Sequence, residues 1–152
     1  MNEINHEYYV SLEIAKLLKK AGFDWKVEFF YQDEILRSVL PDVLFNGNFE
    51  DIEYYYKHIG IPHYSLNYNS GSSKFLEEYS APTLDVAQRW LREIKNFNIY
   101  VQKQSTADHH YFGEYYFQIN EIPSSLIPYE TYEEAQEAGI KKALEIILEK
   151  GE

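Results

Sequence analysis

A group of metal-ligating residue types occurs between residues 108 and 114. Asp108, His109 and His110 are consecutive, and Glu114 follows four residues after His110. Imidazole nitrogens with carboxylate oxygens suit zinc and related metals, which activate water for hydrolysis. Adjacent histidines on a strand point to opposite sides, so only one of them can join a given site. We predict a polar loop here, with a small metal-dependent hydrolase or nuclease as the alternative function.

A second group of carboxylates comprises Glu50, Asp51 and Glu53. If this segment is a strand, two of them share one face, and paired carboxylates hold magnesium in many enzymes. A chain with 25 acidic residues also produces such groups without any function. These residues therefore belong to the same alternative, a metal-dependent nuclease or hydrolase.

Other motifs for catalysis and nucleotide binding are absent from the sequence. The seven glycines are scattered singly, and no phosphate-binding glycine motif or Gly-x-Ser-x-Gly motif occurs. The chain has no cysteine, which excludes disulfides, thiolate metal sites and cysteine nucleophiles. We therefore assign no catalytic residue, no metal and no cofactor, and predict a non-enzymatic protein.

Tyrosine is unusually frequent, with 15 copies in 152 residues. Tyr54, Tyr55, Tyr56, Tyr64 and Tyr68 are concentrated in the middle of the chain. Tyrosine combines a large apolar ring with a polar hydroxyl and is enriched at protein interfaces. The alternative is that these rings stack across strands of a sheet. We predict that the five tyrosines contact an unidentified protein partner or a second copy of the chain.

The chain carries 14 basic and 25 acidic residues, for a formal net charge of −11. This charge repels phosphate backbones, so direct binding of DNA or RNA is not expected. An acidic surface suits a basic partner, and mimicry of a nucleic acid to inhibit a host enzyme is a further alternative. No apolar run is long enough to span a membrane, and the first nine residues do not resemble a signal peptide. A cytoplasmic protein is expected.

Three helices are predicted from caps and from apolar spacing. They run from Ser11 to Ala21, from Thr83 to about Lys95, and from Thr131 to about Lys150. Gly22 follows the first helix as a left-handed stop. The third begins with a capping box and has a favourable pair of Glu137 and Lys141. The predicted core side of the second helix consists of Ala87, Trp90, Leu91 and Ile94.

Strands are predicted between the helices from alternating apolar residues. They cover residues 25–31, 97–101 and 111–119, and the last two are expected to pair as antiparallel neighbours. Asn46-Gly47 indicates a further hairpin turn. We predict an α+β fold with an antiparallel sheet and about three amphipathic helices packed on one face. Residues 1–152 are expected to form one globular domain, with an internal boundary near residues 69–81.

Three segments resemble small uncharacterised proteins of phages and prophage-like elements of gut anaerobes. They are SLEIAKLLKKAGF (11–23), APTLDVAQRWLR (81–92) and YETYEEAQEAGI (129–140). The resemblance implies a phage or prophage origin and a bacterial host, and implies no activity or functional residue. It leaves residues 32–80 unmatched.

The order of elements from Thr83 to Lys150 is similar to that of the double-stranded RNA-binding domain. In that family the last helix starts with lysines that hold phosphates, whereas here it starts with Thr131-Tyr-Glu-Glu-Ala135. The exchange of basic for acidic residues would abolish RNA binding. The expected function is therefore that of an acidic phage or prophage protein acting through protein–protein contacts.

Overall fold

The computed structural model describes residues 8–38, 66–70, 77–104, 114–122 and 128–151. The chain divides into two compact units. Unit 1 consists of residues 1–23 and 83–152, and unit 2 consists of residues 24–82. The organisation of the whole chain as one domain stays a prediction.

Helices and antiparallel sheets together make up the described structure, which confirms the predicted α+β class. The strands form two separate sheets, one of three strands in unit 2 and one of two strands in unit 1. All three helices of the described residues belong to unit 1. In chain order the elements are α1 (Leu12–Lys20), β1 (Phe29–Gln32), β2 (Ile35–Ser38), β3 (Glu78–Ser80), α2 (Leu84–Lys95), β4 (Ile99–Gln104), β5 (Glu114–Ile119) and α3 (Tyr132–Lys150).

The helices begin at the three predicted caps. The hydroxyls of Ser11, Thr83 and Thr131 each accept a hydrogen bond from the backbone N–H three residues later, at 3.3, 3.2 and 3.1 Å. These bonds satisfy amides that the first turn of a helix leaves free. After α1 the chain turns at Gly22, whose φ is +94°, and α2 ends at the left-handed Asn96. The local sequence thus determines where the helices start and stop.

Helix α3 packs against the β4–β5 hairpin and against both other helices of unit 1. Small residues on its buried side allow a close approach. At Gly139 an added Cβ would lie 2.8 Å from the Cγ2 atom of Ile99 and 3.2 Å from the Cβ and Cγ atoms of Phe117. Only hydrogen fits in that space. Gly139 therefore fixes the distance between α3 and the hairpin.

The core side of α2 is formed by Ala87, Trp90 and Leu91, which are fully buried as predicted. The Trp90 ring meets the ring of Phe23 edge to face, with centroids 5.3 Å apart. Ile94 was predicted on the same side, but it is more than half exposed. It lies in the last turn of α2, next to the chain reversal at Asn96, and the buried face ends before it.

A polar network crosses the packed elements of unit 1. The side-chain nitrogen of the buried Gln136 on α3 donates to the Asp85 carboxylate and to the side-chain oxygen (Oε1) of Gln88 on α2, both at 2.7 Å. The amide nitrogen of Gln88 in turn donates to the carbonyl oxygen of Ile99 on β4, at 2.8 Å. Every nitrogen in this chain of bonds has an acceptor, as burial requires.

The antiparallel hairpin of β4 and β5 confirms the predicted pairing. Its register places Ile99 opposite Ile119 and Val101 opposite Phe117. At the open end, the Asn120 N–H donates to the Asn98 carbonyl oxygen at 2.8 Å, and the Asn98 N–H donates to the Asn120 side-chain oxygen at 2.7 Å. This end of the hairpin is therefore fixed by two asparagines.

Unit 2 contains a sheet with the strand order β2-β1-β3. Strands β1 and β2 are joined by Asp33 and Glu34, whose φ angles are +52° and +64°. Two consecutive residues with positive φ are typical of the type I′ hairpin turn. This hairpin was not predicted, because Asp-Glu lacks the glycine that usually follows aspartate or asparagine in such a turn.

We expect the substitution Glu34→Gly to stabilise unit 2 by about 1 kcal/mol, because glycine adopts positive φ without the steric cost of a Cβ atom. Equilibrium denaturation in urea measures the change. The control is Glu34→Ala, which removes the same charge but keeps the Cβ atom. Equal stabilisation by both variants would show that charge, not backbone conformation, is responsible.

Candidate functional site

Most of the residues predicted to bind a partner or a metal lie outside the described residues. These are the tyrosines Tyr54, Tyr55, Tyr56 and Tyr64, and the candidate metal ligands Glu50, Asp51, Glu53, Asp108, His109 and His110. The predicted hairpin turn at Asn46-Gly47 also lies outside the described residues. Glu114, the last member of the metal-ligand alternative, is the first residue of β5 and accepts a hydrogen bond from the Tyr116 hydroxyl at 3.1 Å. In the described part of the chain, no three His, Asp or Glu side chains are grouped to hold a metal ion.

Tyr68 is the one predicted contact tyrosine within the described ranges, and it is buried. Its ring stacks on Phe30 with centroids 4.2 Å apart. Its backbone N–H donates to the Ser80 hydroxyl at 3.0 Å. The segment 66–70 is attached further by two hydrogen bonds between the backbones of Val27 and Leu66. The Tyr68 ring therefore packs within unit 2.

Helices α1 and α3 border an open groove of about 500 Å³. Across it, the Lys141 ammonium lies 2.9 Å from the Glu13 carboxylate, and the Ser11 N–H donates to the Glu137 carboxylate at 3.3 Å. The hydrogen bond and charge of Glu13 raise the pKa of Lys141 above its usual value. The predicted partner of Lys141 was Glu137 on the same helix, and the structure shows Glu13 in that role. These groups join α1 to α3.

A second depression lies at the open end of the β4–β5 hairpin and has a volume of about 630 Å³. We call it the hairpin-end surface, and it is lined by Asn98, Tyr100, Asn120, Glu121 and Ile122. The Tyr100 and Ile122 side chains are 49% and 47% exposed. Their apolar area stands beside two asparagine amides and one carboxylate. An exposed apolar centre with a polar border is the composition of a protein-binding surface.

The backbone around the hairpin-end surface is held in place. The two hydrogen bonds between Asn98 and Asn120 close the end of the hairpin, and the Gln118 side chain donates to the Asn120 carbonyl oxygen at 3.2 Å. Asn120 has a positive φ of +50°, and the Ile122 N–H then donates to the Ile119 carbonyl oxygen at 2.9 Å. This turn holds Ile122, which lines the same depression as Tyr100, in a defined conformation, and such order lowers the entropy cost of binding.

Tyr100 and Ile122 were not among the predicted site residues. The alternation of Phe97, Ile99 and Val101 already implied that Tyr100 faces away from the core. Ile122 gave no signal, since one isoleucine before a proline is unremarkable. The two residues become neighbours only because the antiparallel register brings the ends of β4 and β5 together.

No family model, curated protein or solved structure matches this chain. Among the helices that the structure describes, none combines the length and the apolar character needed to cross a membrane.

Proposed function

We propose that this chain is a non-enzymatic protein of phage or prophage origin that acts in the cytoplasm of a bacterial host by binding another protein. The observation that carries the binding role is the hairpin-end surface, where Tyr100 and Ile122 are each about half exposed and line one depression. The origin and the location rest on the resemblance of the three sequence segments.

The chemistry of this surface supports a protein partner. A tyrosine ring and an isoleucine side chain gain free energy when a partner removes them from water. The amides of Asn98 and Asn120 border them and can exchange hydrogen bonds with a partner's backbone. A protein partner offers both apolar side chains and such polar groups.

The charge of the chain favours a basic partner. The formal charge is −11, and Glu121 lies within the hairpin-end surface itself. Long-range attraction between an acidic and a basic protein increases the association rate and weakens with salt. We therefore propose a partner that presents an apolar residue surrounded by lysine or arginine.

The proposal is tested by capture from lysate of the host cells with the tagged full-length chain, followed by binding measurements with the captured protein in purified form. We expect the double variant Tyr100→Ser, Ile122→Ser to weaken binding at least tenfold while its thermal unfolding stays like that of the native chain. Because electrostatic attraction contributes to the proposed binding, raising the salt concentration should also weaken binding by the native chain.

Tyr8→Ser, Ile35→Ser is the matched control, since these side chains are 52% and 53% exposed and lie elsewhere in the chain. It should bind like the native chain. Equal losses in both double variants would mean that the effect is not specific to the hairpin-end surface. Undiminished binding by the Tyr100, Ile122 variant would contradict the proposed site.

A further inference from the structure

The two edges of the β4–β5 sheet differ in their hydrogen bonding. Asn98 receives its backbone bond from Asn120, so Tyr100 and Gln102 also direct their backbone groups towards β5, since these groups alternate along an antiparallel strand. The backbone groups of Ile99, Val101 and Lys103 must point away from β5. The hydrogen bond from Gln88 to the Ile99 carbonyl oxygen agrees with this direction.

The outer edge of β5 is covered. Tyr115 exchanges two backbone hydrogen bonds with Tyr129, at 2.8 and 2.9 Å, and the Ile119 carbonyl oxygen accepts from Ile122. On the outer edge of β4, the bond that the described residues provide is the one from Gln88 to Ile99. Across the described ranges, no backbone bond reaches the outward groups of Val101 and Lys103.

The side chains along this edge leave it accessible. Gln102 and Lys103 are exposed. Lysine on an edge strand often blocks pairing with another strand. Here, however, the Lys103 ammonium lies 5.9 Å from the centroid of the Tyr115 ring, so the side chain leans over its own hairpin. The outward N–H and C=O groups of Val101 and Lys103 thus have strand geometry and no backbone partner among the described residues.

We propose that two copies of this chain pair through the outer edges of β4, with a two-fold axis at Gln102, to form a continuous four-stranded antiparallel sheet. In this register Val101 of each copy exchanges two backbone hydrogen bonds with Lys103 of the other copy. Gln102 stands opposite Gln102 as a non-hydrogen-bonded pair, in which side chains approach closely. The inference does not depend on the proposed binding partner.

The side chains of β4 suit a second copy as the occupant. Two chains with a net charge of −11 repel each other at long range, but the segment Ile99–Gln104 carries no acidic residue and one basic residue, Lys103. Pairing at Gln102 places Lys103 against Val101, so that no like charges stand opposite each other. A basic peptide would instead bring its cations next to Lys103. The opposed glutamine amides can donate to each other and accept from each other.

The Gln88 bond selects this register over its neighbours. An axis at Val101 would require Ile99 to pair as well, and its carbonyl oxygen is already engaged by α2. An axis at Lys103 would oppose the two ammonium groups, which is unfavourable. The pairing also extends a two-stranded sheet, which is marginal by itself, to four strands.

A single cysteine tests the register, because the native chain contains none. In the proposed dimer the Cβ atoms at position 102 are about 4.5–5.5 Å apart, close to the distance of a disulfide. We expect Gln102→Cys of the full-length chain to form a covalent dimer under mild oxidation. Gln118→Cys is the matched control on the same face of β5. Its two copies would be about 20 Å apart, since they are separated by three strand spacings across the sheet and by four residues along it. It should form no covalent dimer. Equal cross-linking of both variants, or of neither, would overturn the proposal.

The second measurement is sedimentation of the native chain, which contains no cysteine. The native protein should approach twice the 18.1 kDa mass of one chain as its concentration rises. Lys103→Pro removes an outward N–H that is not part of the β4–β5 ladder, so the hairpin should keep its fold. We expect this variant to raise the dimer dissociation constant about tenfold or more. A native chain that stays monomeric at all concentrations, or a variant that associates equally well, would contradict edge pairing.

Discussion

Replacing Trp90 with alanine is expected to lower the free energy of unfolding by about 3–5 kcal/mol. Trp90 is among the largest fully buried side chains, and its ring contacts Phe23 edge to face. Its indole N–H has no hydrogen-bond partner among the described residues, so the loss arises from packing and from the cavity left behind. Denaturation in urea or guanidinium chloride gives the value directly.

Ile94→Ala on the same helix is the control for this result. Ile94 is more than half exposed, so its truncation should cost less than about 0.5 kcal/mol. A loss below about 1 kcal/mol for Trp90→Ala would mean that this side of α2 does not face the core. Similar losses for both variants would point to an effect on helix formation instead.

Introducing leucine at Gly139 is expected to destabilise the protein by about 3 kcal/mol, at the upper end of the range for overpacked cores. Leucine has a higher helix propensity than glycine, which alone would stabilise α3 by about 1 kcal/mol. The contact outweighs this gain, since even a Cβ atom would lie 2.8 Å from Ile99 and 3.2 Å from Phe117. The helix must move away from the hairpin or the side chains must leave their rotamers.

Ala138→Leu is the matched control, because Ala138 is the preceding residue of α3 and lines the open groove beside α1. It should change the free energy of unfolding by less than about 1 kcal/mol in either direction. If Gly139→Leu were equally well tolerated, the close approach of α3 to the hairpin would be disproved. Circular dichroism of each variant verifies that the helix is retained.

The helices of unit 1 could be predicted from the sequence because their determinants are local. A hydroxyl at the cap and an apolar row at helical spacing act within a few residues, and Ser11, Thr83 and Thr131 cap their helices as expected. The β4–β5 pairing was also predictable, since two alternating segments follow each other along the chain. The α+β class follows from these elements.

The features that escaped prediction depend on distant residues or on strained backbone. Asp33 and Glu34 both adopt positive φ, and Glu34 stands where such turns usually have glycine, so the first hairpin left no clear turn signal. Phe30 and Tyr31 are both buried, whereas alternation predicts one buried face. The Phe30 side is covered by Tyr68, which lies 38 residues later in the chain. No local pattern encodes such a contact.

The candidate surface was predictable only in part for the same reason. Tyr100 was expected to lie outside the core, but its neighbour Ile122 is brought to it by the register of the hairpin. The partner of Lys141 was misassigned because Glu13, on another helix, competes with Glu137 on the same helix. Helical spacing shows which charged residues of one helix can pair with each other. It does not show whether a charged residue on another helix lies closer.

The buried amide of Gln136 restricts unit 1 to one arrangement of its elements. Apolar faces tolerate sliding and rotation, because hydrophobic contact has no direction. The Gln136 amide nitrogen instead requires two acceptors on α2, and the amide of the second acceptor, Gln88, requires the Ile99 carbonyl oxygen on β4. A shift of α3 by one turn would leave the buried Gln136 amide without its acceptors, at a cost of about 1–3 kcal/mol. The side chains of Gln136, Asp85 and Gln88 thereby favour the native packing of unit 1 over misaligned packings that bury a similar apolar area.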